Sequence, residues 1–173
     1  MELQGKRIAI LAEDQYQVLE LWYPLLRFKE AGAEVTVVGS GRSDVHQSSN
    51  GYPVKVDAKA ADVKAADFDA VVIPGGYAPD RMRVNEDMVR LVREAYEQGK
   101  VVAAICHAGW VLVSAGILKG KRATCVSNIK DDIINAGATY VDEEVVVDGN
   151  IITSRTPPDL PAFCREIIKA LAK

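Results

Sequence analysis

The sequence predicts one α/β domain, a three-layer sandwich in which a mainly parallel sheet is covered by helices on both faces. Three observations predict it. Short apolar runs, typical of strands buried on both sides, recur at Arg7–Ala12, Ala70–Pro74 and Val101–Ile105. Segments with helical periodicity lie between them. No repeat and no Pro/Ser-rich linker divides the 173 residues, a length ordinary for a single domain spanning residues 1–173.

The elements follow in order. After the first run, Gln17 to Ala31 carries Val18, Leu21, Trp22, Leu25, Leu26 and Phe28 as a helical stripe closed by Gly32. Pro24 inside it predicts a kink or a late helix start. Glu34 to Gly39 reads as the second strand, and residues 45–57 as a short hairpin or edge excursion. The third strand ends in Pro74-Gly75-Gly76. Val84 to Gln98 shows Val84, Met88, Leu91, Val92, Ala95 and Tyr96 on one face before Gly99. Val101 to Ile105 leads directly into Cys106 and a helix of about ten residues ended by Gly116. Asn128 to Ala136 is a short helix. Thr139 to Val147 and Ile151 to Ser154 are strands around Asp148-Gly149-Asn150. Pro161 to Ala172 closes the chain as an amphipathic helix. This alternation of strands and helices is the pattern of a flavodoxin-like α/β sandwich.

Composition narrows the functional classes. Hydrophobic residues are 49% and charged residues 26%, which excludes a disordered chain. With 21 basic and 24 acidic residues the net charge is -3, so no basic surplus points to nucleic acid or to an anionic membrane surface. Residues 101–118 lack Asp, Glu, Lys and Arg, but Cys106, His107, Gly109, Ser114 and Gly116 interrupt them. A buried strand, a turn and a core helix fit better than a membrane span. The N-terminus carries no signal-peptide pattern. Three widely spaced cysteines, Cys106, Cys125 and Cys164, predict reduced thiols and a cytoplasmic setting.

The segment Ala104-Ile105-Cys106-His107-Ala108-Gly109 carries the sharpest chemical signal. A buried strand stops at a cysteine, and a helix starts straight after it. Such a turn lifts a nucleophile out of the sheet edge. Free N–H groups and the positive end of the helix favour a thiolate there. On spacing alone, a buried core cysteine fits as well. His107 is a candidate base, although adjacent side chains on such a turn diverge, and a solvated helix-start histidine is the plainer reading. His46 reads as a surface residue. The backbone N–H groups of Gly76 and His107 are candidate oxyanion donors. No Gly-Lys-Ser/Thr follows Gly75-Gly76, so the loop is not a phosphate loop. No Cys-x-x-Cys or His-x-x-x-His is present, so no metal is expected. Cys125 and Cys164 read as core. Periodicity places Glu20 on the solvent side of its helix.

A set of segments together is far more specific than any one of them. They are Glu20-Leu-Trp-Tyr-Pro24, Asp69-Ala-Val-Val-Ile-Pro-Gly-Gly76, Ala78-Pro-Asp-Arg81, Ala104-Ile-Cys-His107, Ile129-Lys-Asp-Asp132-Ile-Ile-Asn-Ala-Gly137 and Thr153-Ser-Arg-Thr-Pro157. Over nearly the whole chain they resemble the ThiJ/PfpI superfamily, close to its PfpI-type intracellular protease and deglycase branch. The resemblance implies a flavodoxin-like, class I glutamine amidotransferase-like fold with Cys106 as nucleophile and His107 as catalytic histidine. It assigns Glu20 to a hydrogen bond with the cysteine, against the periodicity. A third acid comes from the neighbouring subunit in such proteases. Its position here is Asp80, where the archaeal pattern has Glu, and a site-lining tyrosine of that pattern is replaced by Val126. The resemblance therefore implies a homo-oligomer, a dimer or a hexamer, with an intersubunit site and no cofactor. The substrate is a peptide or a small carbonyl. The activities implied are those of a cysteine peptidase active in stress protection, of a glutathione-independent glyoxalase or deglycase, or of a non-enzymatic redox sensor or chaperone.

Overall fold

Runs that are apolar on both faces must be covered on both sides, and that requirement organises the molecule. The computed structural model describes all residues, Met1–Lys173. Its strands are β1 (Arg7–Ala12), β2 (Glu34–Gly39), β3 (Val45–Gln47), β4 (Pro53–Lys55), β5 (Ala58–Lys59), β6 (Ala70–Ile73), β7 (Val101–Ile105), β8 (Arg122–Ala123), β9 (Thr139–Tyr140), β10 (Val145–Asp148) and β11 (Ile151–Ser154). Its helices are α1 (Val18–Glu30), α2 (Ala78–Met82), α3 (Glu86–Glu97), α4 (Gly109–Ala115), α5 (Lys130–Asn135) and α6 (Leu160–Leu171).

The main sheet has seven strands in the order β10-β11-β7-β6-β1-β2-β5. Every neighbouring pair is parallel except β10 with β11. One layer of helices joins α1 to α6, and the other joins α3 and α2 to α4. The flavodoxin-like sandwich expected from the alternation is the fold observed. A single core cluster of 54 buried residues runs through it. Strand order reverses between β1 and β6, so the loops after these strands flank a crevice at the carboxyl edge, where α/β sheets place their sites.

Several expectations need correction. Helix α1 starts at Val18, not late at Pro24. Gln17 caps it by accepting the N–H groups of Leu19 and Glu20, while Pro24 lies inside and leaves the Glu20 carbonyl without its i+4 donor. Helix α3 starts at Glu86 because Asn85 caps it, and Val84 is left 80% exposed. The strand expected over residues 139–147 is broken. Thr139–Tyr140 pairs with β8 in a separate small sheet, and Val145–Asp148 joins the main sheet beyond the charged Asp142-Glu143-Glu144.

Candidate active site

Strand β7 is wholly buried and ends at Ile105 in extended backbone. Cys106 then takes φ 64, and Gln15 at φ 66 is the only other non-glycine residue with positive φ. That conformation costs an L-residue about 1–2 kcal/mol, so the surroundings must hold it. The chain turns through Cys106–Ala108 into α4. Small residues are needed at this turn: a Cβ on Gly109 would lie 3.2 Å from Ile129 and 3.3 Å from Ile133. The outcome is the strand–turn–helix elbow that the sequence predicted, with Cys106 at its tip.

Glu20 is fully buried, against its periodicity and in accord with the resemblance. Gly75 donates its N–H to Glu20 Oε1 at 2.9 Å. The second oxygen, Oε2, has no partner of hydrogen-bond geometry, and the polar group beside the carboxyl is the Cys106 thiol. Burial raises Glu20 from its ordinary value to about 7, while the Gly75 N–H and the cysteine act the other way. The Cys106 thiol is pushed up to about 12, first by burial and then by the Glu20 charge; the N–H groups of Gly76 and His107, which face the sulfur, oppose the rise. A buried carboxyl and thiol in contact do not readily hold two negative charges, so near neutral pH the pair retains one proton. The higher value of the thiol keeps that proton on sulfur at rest; when it passes to Glu20, the thiolate has a carboxyl donor and two backbone donors.

His107 Nδ1 lies 3.3 Å from Cys106 Sγ, the one side-chain hydrogen-bond contact of this imidazole. Adjacency in sequence therefore does produce a Cys–His contact. Half-burial lowers the His107 pKa and favours the neutral ring. Tyr77 and Trp110 stand against it, with ring centroids at 5.7 and 5.1 Å. Aromatic residues at this site were not foreseen. The three-residue helical spacing of His107 and Trp110 was the available signal.

The glycine loop is held by main chain. Gly76 has φ 75, and a Cβ there would lie 2.5 Å from Gln17 N and 2.6 Å from Gln15 O. Gln15 donates its N–H to Gln47 O at 2.8 Å, and its carbonyl accepts from Tyr77 N–H at 2.9 Å. Gln17 N–H reaches Gly75 O at 3.1 Å. A backbone strap thus ties the β3–β4 hairpin to the glycine loop, which carries one of the two oxyanion candidates.

His46 is not a surface residue. It is fully buried, with Nδ1 3.1 Å from Asp14 Oδ1 and 3.2 Å from Glu13 Oε1. The reason is long range: the hairpin folds over the end of β1 and brings His46 to Asp14, 32 residues earlier, and to its neighbour Glu13. Glu13, Asp14 and His46 set atoms of metal-ligand type within 4.8 Å of one another, a grouping that short-range spacing does not reveal. The two carboxylates also accept from Ser40, from the Gln47 N–H and from the Asp14 N–H, and Arg42 lies 3.9 Å from both, while the buried His46 Nε2 has no hydrogen-bond partner.

Asp80 is exposed on α2 and lines a cavity of about 430 Å³ with Glu13, Arg42 and Arg81, apart from Cys106. Val126 is half-buried and donates its N–H to the Cys106 carbonyl at 3.4 Å. Cys125 and Cys164 are buried as expected, and burial pushes both thiols up to about 12.

A positive-φ cysteine at a strand–helix elbow, a buried carboxyl beside it and an adjacent histidine define a class by geometry, the flavodoxin-like α/β sandwiches with an elbow cysteine. Residues 6–170 match the DJ-1/PfpI family model, and the chain belongs to that family. It is 48% identical over 165 residues to a deglycase of Pyrococcus abyssi, covering 95% of this chain and 99% of that one. It is 46% identical over 165 residues to the deglycase PfpI of Pyrococcus furiosus, with the same coverage. The crystal structure of a two-domain protein from Anabaena variabilis, with DJ-1/ThiJ/PfpI-like and ferritin-like domains, superposes with TM-score 0.95 at 46% identity. The match covers 96% of this chain and 48% of that longer one. No helix is long and apolar enough to cross a membrane.

Proposed function

We propose that the chain is a cysteine-dependent enzyme of the PfpI type whose main reaction is of the glyoxalase or deglycase kind. Its substrate would be a small dicarbonyl or the adduct such a carbonyl forms on a protein group. The observation that carries this choice is the setting of the nucleophile. Cys106 is 8% exposed and lines none of the cavities of the single chain, so a compact aldehyde reaches it more readily than an extended peptide. The deglycases among its relatives support the same reading.

The chemistry follows from the groups present. The Cys106 thiolate adds to the aldehyde carbon of methylglyoxal, and the new alkoxide takes a proton from Glu20 or His107. The N–H groups of Gly76 and His107 hold the developing oxyanion. A proton moves from C1 to C2, leaving a lactoyl thioester on Cys106. Water then cleaves the sulfur–acyl bond, releasing lactate and restoring the thiol. Methylglyoxal and one water balance lactic acid, with no external oxidant. Amide hydrolysis is the second reading, favoured by the two N–H groups that converge at the sulfur.

Asp80 of a neighbouring subunit completes the proposed site. Within its own chain this carboxylate is exposed and directed to another cavity, while His107 has no acid partner.

Lactate production from methylglyoxal by wild type and by Cys106→Ala tests the main reaction. Turnover that vanishes in folded Cys106→Ala supports it. Absence of turnover in wild type, with cleavage of amide substrates, moves the assignment to peptidase. Mixing Cys106→Ala with Asp80→Ala subunits tests the shared site. Random pairing rebuilds about a quarter of the sites if Asp80 acts across the interface, and none if it acts within its own chain.

A further inference from the structure

His107 is a short side chain on a turn, half-exposed, with one polar contact. That contact alone does not fix the imidazole, because rotation about its two side-chain bonds would carry Nδ1 away from the sulfur. Something else must restrict it. Trp110 lies one helical turn further on, its ring inclined at 58° to the imidazole. The indole is itself anchored. Its Nε1–H donates to Asp132 Oδ2 of α5 at 2.8 Å. The Arg83 guanidinium sits over it at 5.5 Å and is held by Ser114 Oγ at 3.1 Å. An indole fixed at both its edge and its face makes a rigid wall.

We infer that Trp110, anchored by Asp132 and Arg83, is a positioning residue that holds the His107 ring with Nδ1 toward the Cys106 sulfur. Trp110 contacts the histidine rather than the reacting atoms, and its effect is on the fraction of time the base is aligned. This inference rests on the reading of His107 as the proton carrier. Within the chain the titratable or charged groups around the ring are Cys106 with Glu20 beside it, Tyr77 ahead of α2, and, on the indole, Arg83 and Asp132; in the proposed assembly Asp80 of a neighbouring subunit joins them and is common to every variant compared. Arg83 and Asp132 are of opposite sign, and both contact the indole.

The test is steady-state kinetics with methylglyoxal across pH for Trp110→Leu, Trp110→Phe, Asp132→Leu, Asp132→Asn and His107→Ala, with folding checked by circular dichroism. Removing the wall should lower kcat by about tenfold to a hundredfold in Trp110→Leu while KM changes less than about threefold. The acid limb should move to higher pH as the imidazole becomes more hydrated. Trp110→Phe keeps part of the wall and should recover part of the loss. Asp132→Asn still offers an oxygen to the indole and should stay within about twofold of wild type, whereas Asp132→Leu should follow Trp110→Leu. If Trp110→Leu does not fold, Asp132→Leu carries the test, since it keeps the indole and frees it. A folded Trp110→Leu or Asp132→Leu with wild-type kcat and pH profile overturns the inference. So does a rise in KM at unchanged kcat, which would make Trp110 a substrate contact. Full activity in His107→Ala would instead overturn the role of the histidine, and the positioning role with it.

Discussion

The Glu20 carboxyl and the Gly75 N–H meet at 2.9 Å across 55 residues of sequence, and no side chain fits between Gly75 and Cys106. A Cβ on Gly75 would stand 2.5 Å from Glu20 Oε1, 2.7 Å from Cys106 Cβ and 2.8 Å from the Ile105 carbonyl. The last of these is backbone at the end of a buried strand and has little freedom to move. Gly75→Ala should therefore destabilise the fold by about 1–3 kcal/mol in urea unfolding. It should also slow Cys106 alkylation, because the methyl group lands between the carboxyl and the thiol.

Glu20 makes stability depend on pH in a defined sense. Its folded-state value of about 7 lies above its ordinary 4.5, so its protonated form favours the folded state. That contribution is complete below about pH 4.5 and is lost as pH rises through about 7, an upper bound of about 3 kcal/mol. Glu20→Gln keeps an oxygen for the Gly75 N–H and removes the ionisation. The stability difference between variant and wild type should grow in the variant's favour from pH 5 to pH 8. A difference that stays flat over this range would mean that Glu20 ionises normally.

Cys106 is held at φ 64, where glycine is at ease and alanine is not. Cys106→Gly should be more stable than Cys106→Ala by about 1 kcal/mol, although glycine elsewhere in an element loses to alanine. Thermal unfolding of the two variants decides this. Alanine at least as stable as glycine would show that the elbow relaxes when the thiol is gone.

His46 closes the buried network at the end of β1. His46→Phe keeps a planar ring, slightly larger, and removes the Nδ1 contact to Asp14 and Glu13, leaving Glu13 buried beside an apolar ring. The expected cost is about 1–3 kcal/mol in urea unfolding. Because Gln47 is the next residue and bonds Gln15, Cys106 alkylation should slow as well. Unchanged stability and reactivity would show that the hairpin is held elsewhere.

Local pattern was enough for the central strands, the elbow and the glycine loop, since each is written in contiguous residues. The runs Arg7–Ala12 and Val101–Ile105 have the bounds of β1 and β7. Glu20 was misjudged by periodicity because its partners, Gly75 and Cys106, arrive from other strands. His46 was misjudged for the same reason, with Glu13 and Asp14 brought to it by the hairpin. The break at Asp142-Glu143-Glu144 was written in charge, but β-rich flanks concealed it. The role of Trp110 becomes legible only once Asp132 and His107 are placed around it.

The strap between the hairpin and the glycine loop is made of main-chain bonds: Gln15 to Gln47, Tyr77 to Gln15, Gln17 to Gly75. Side-chain identity does not carry such bonds. A lineage can exchange the residue at position 47 freely, so long as position 15 tolerates a left-handed backbone, position 17 still caps α1 and position 75 stays glycine. The periphery and the nucleophile stay mechanically joined throughout that drift. Insertions or deletions in the hairpin are another matter, since they shift the register of the backbone itself. Length variation between Val45 and Lys55, more than sequence variation there, is what the catalytic edge would feel.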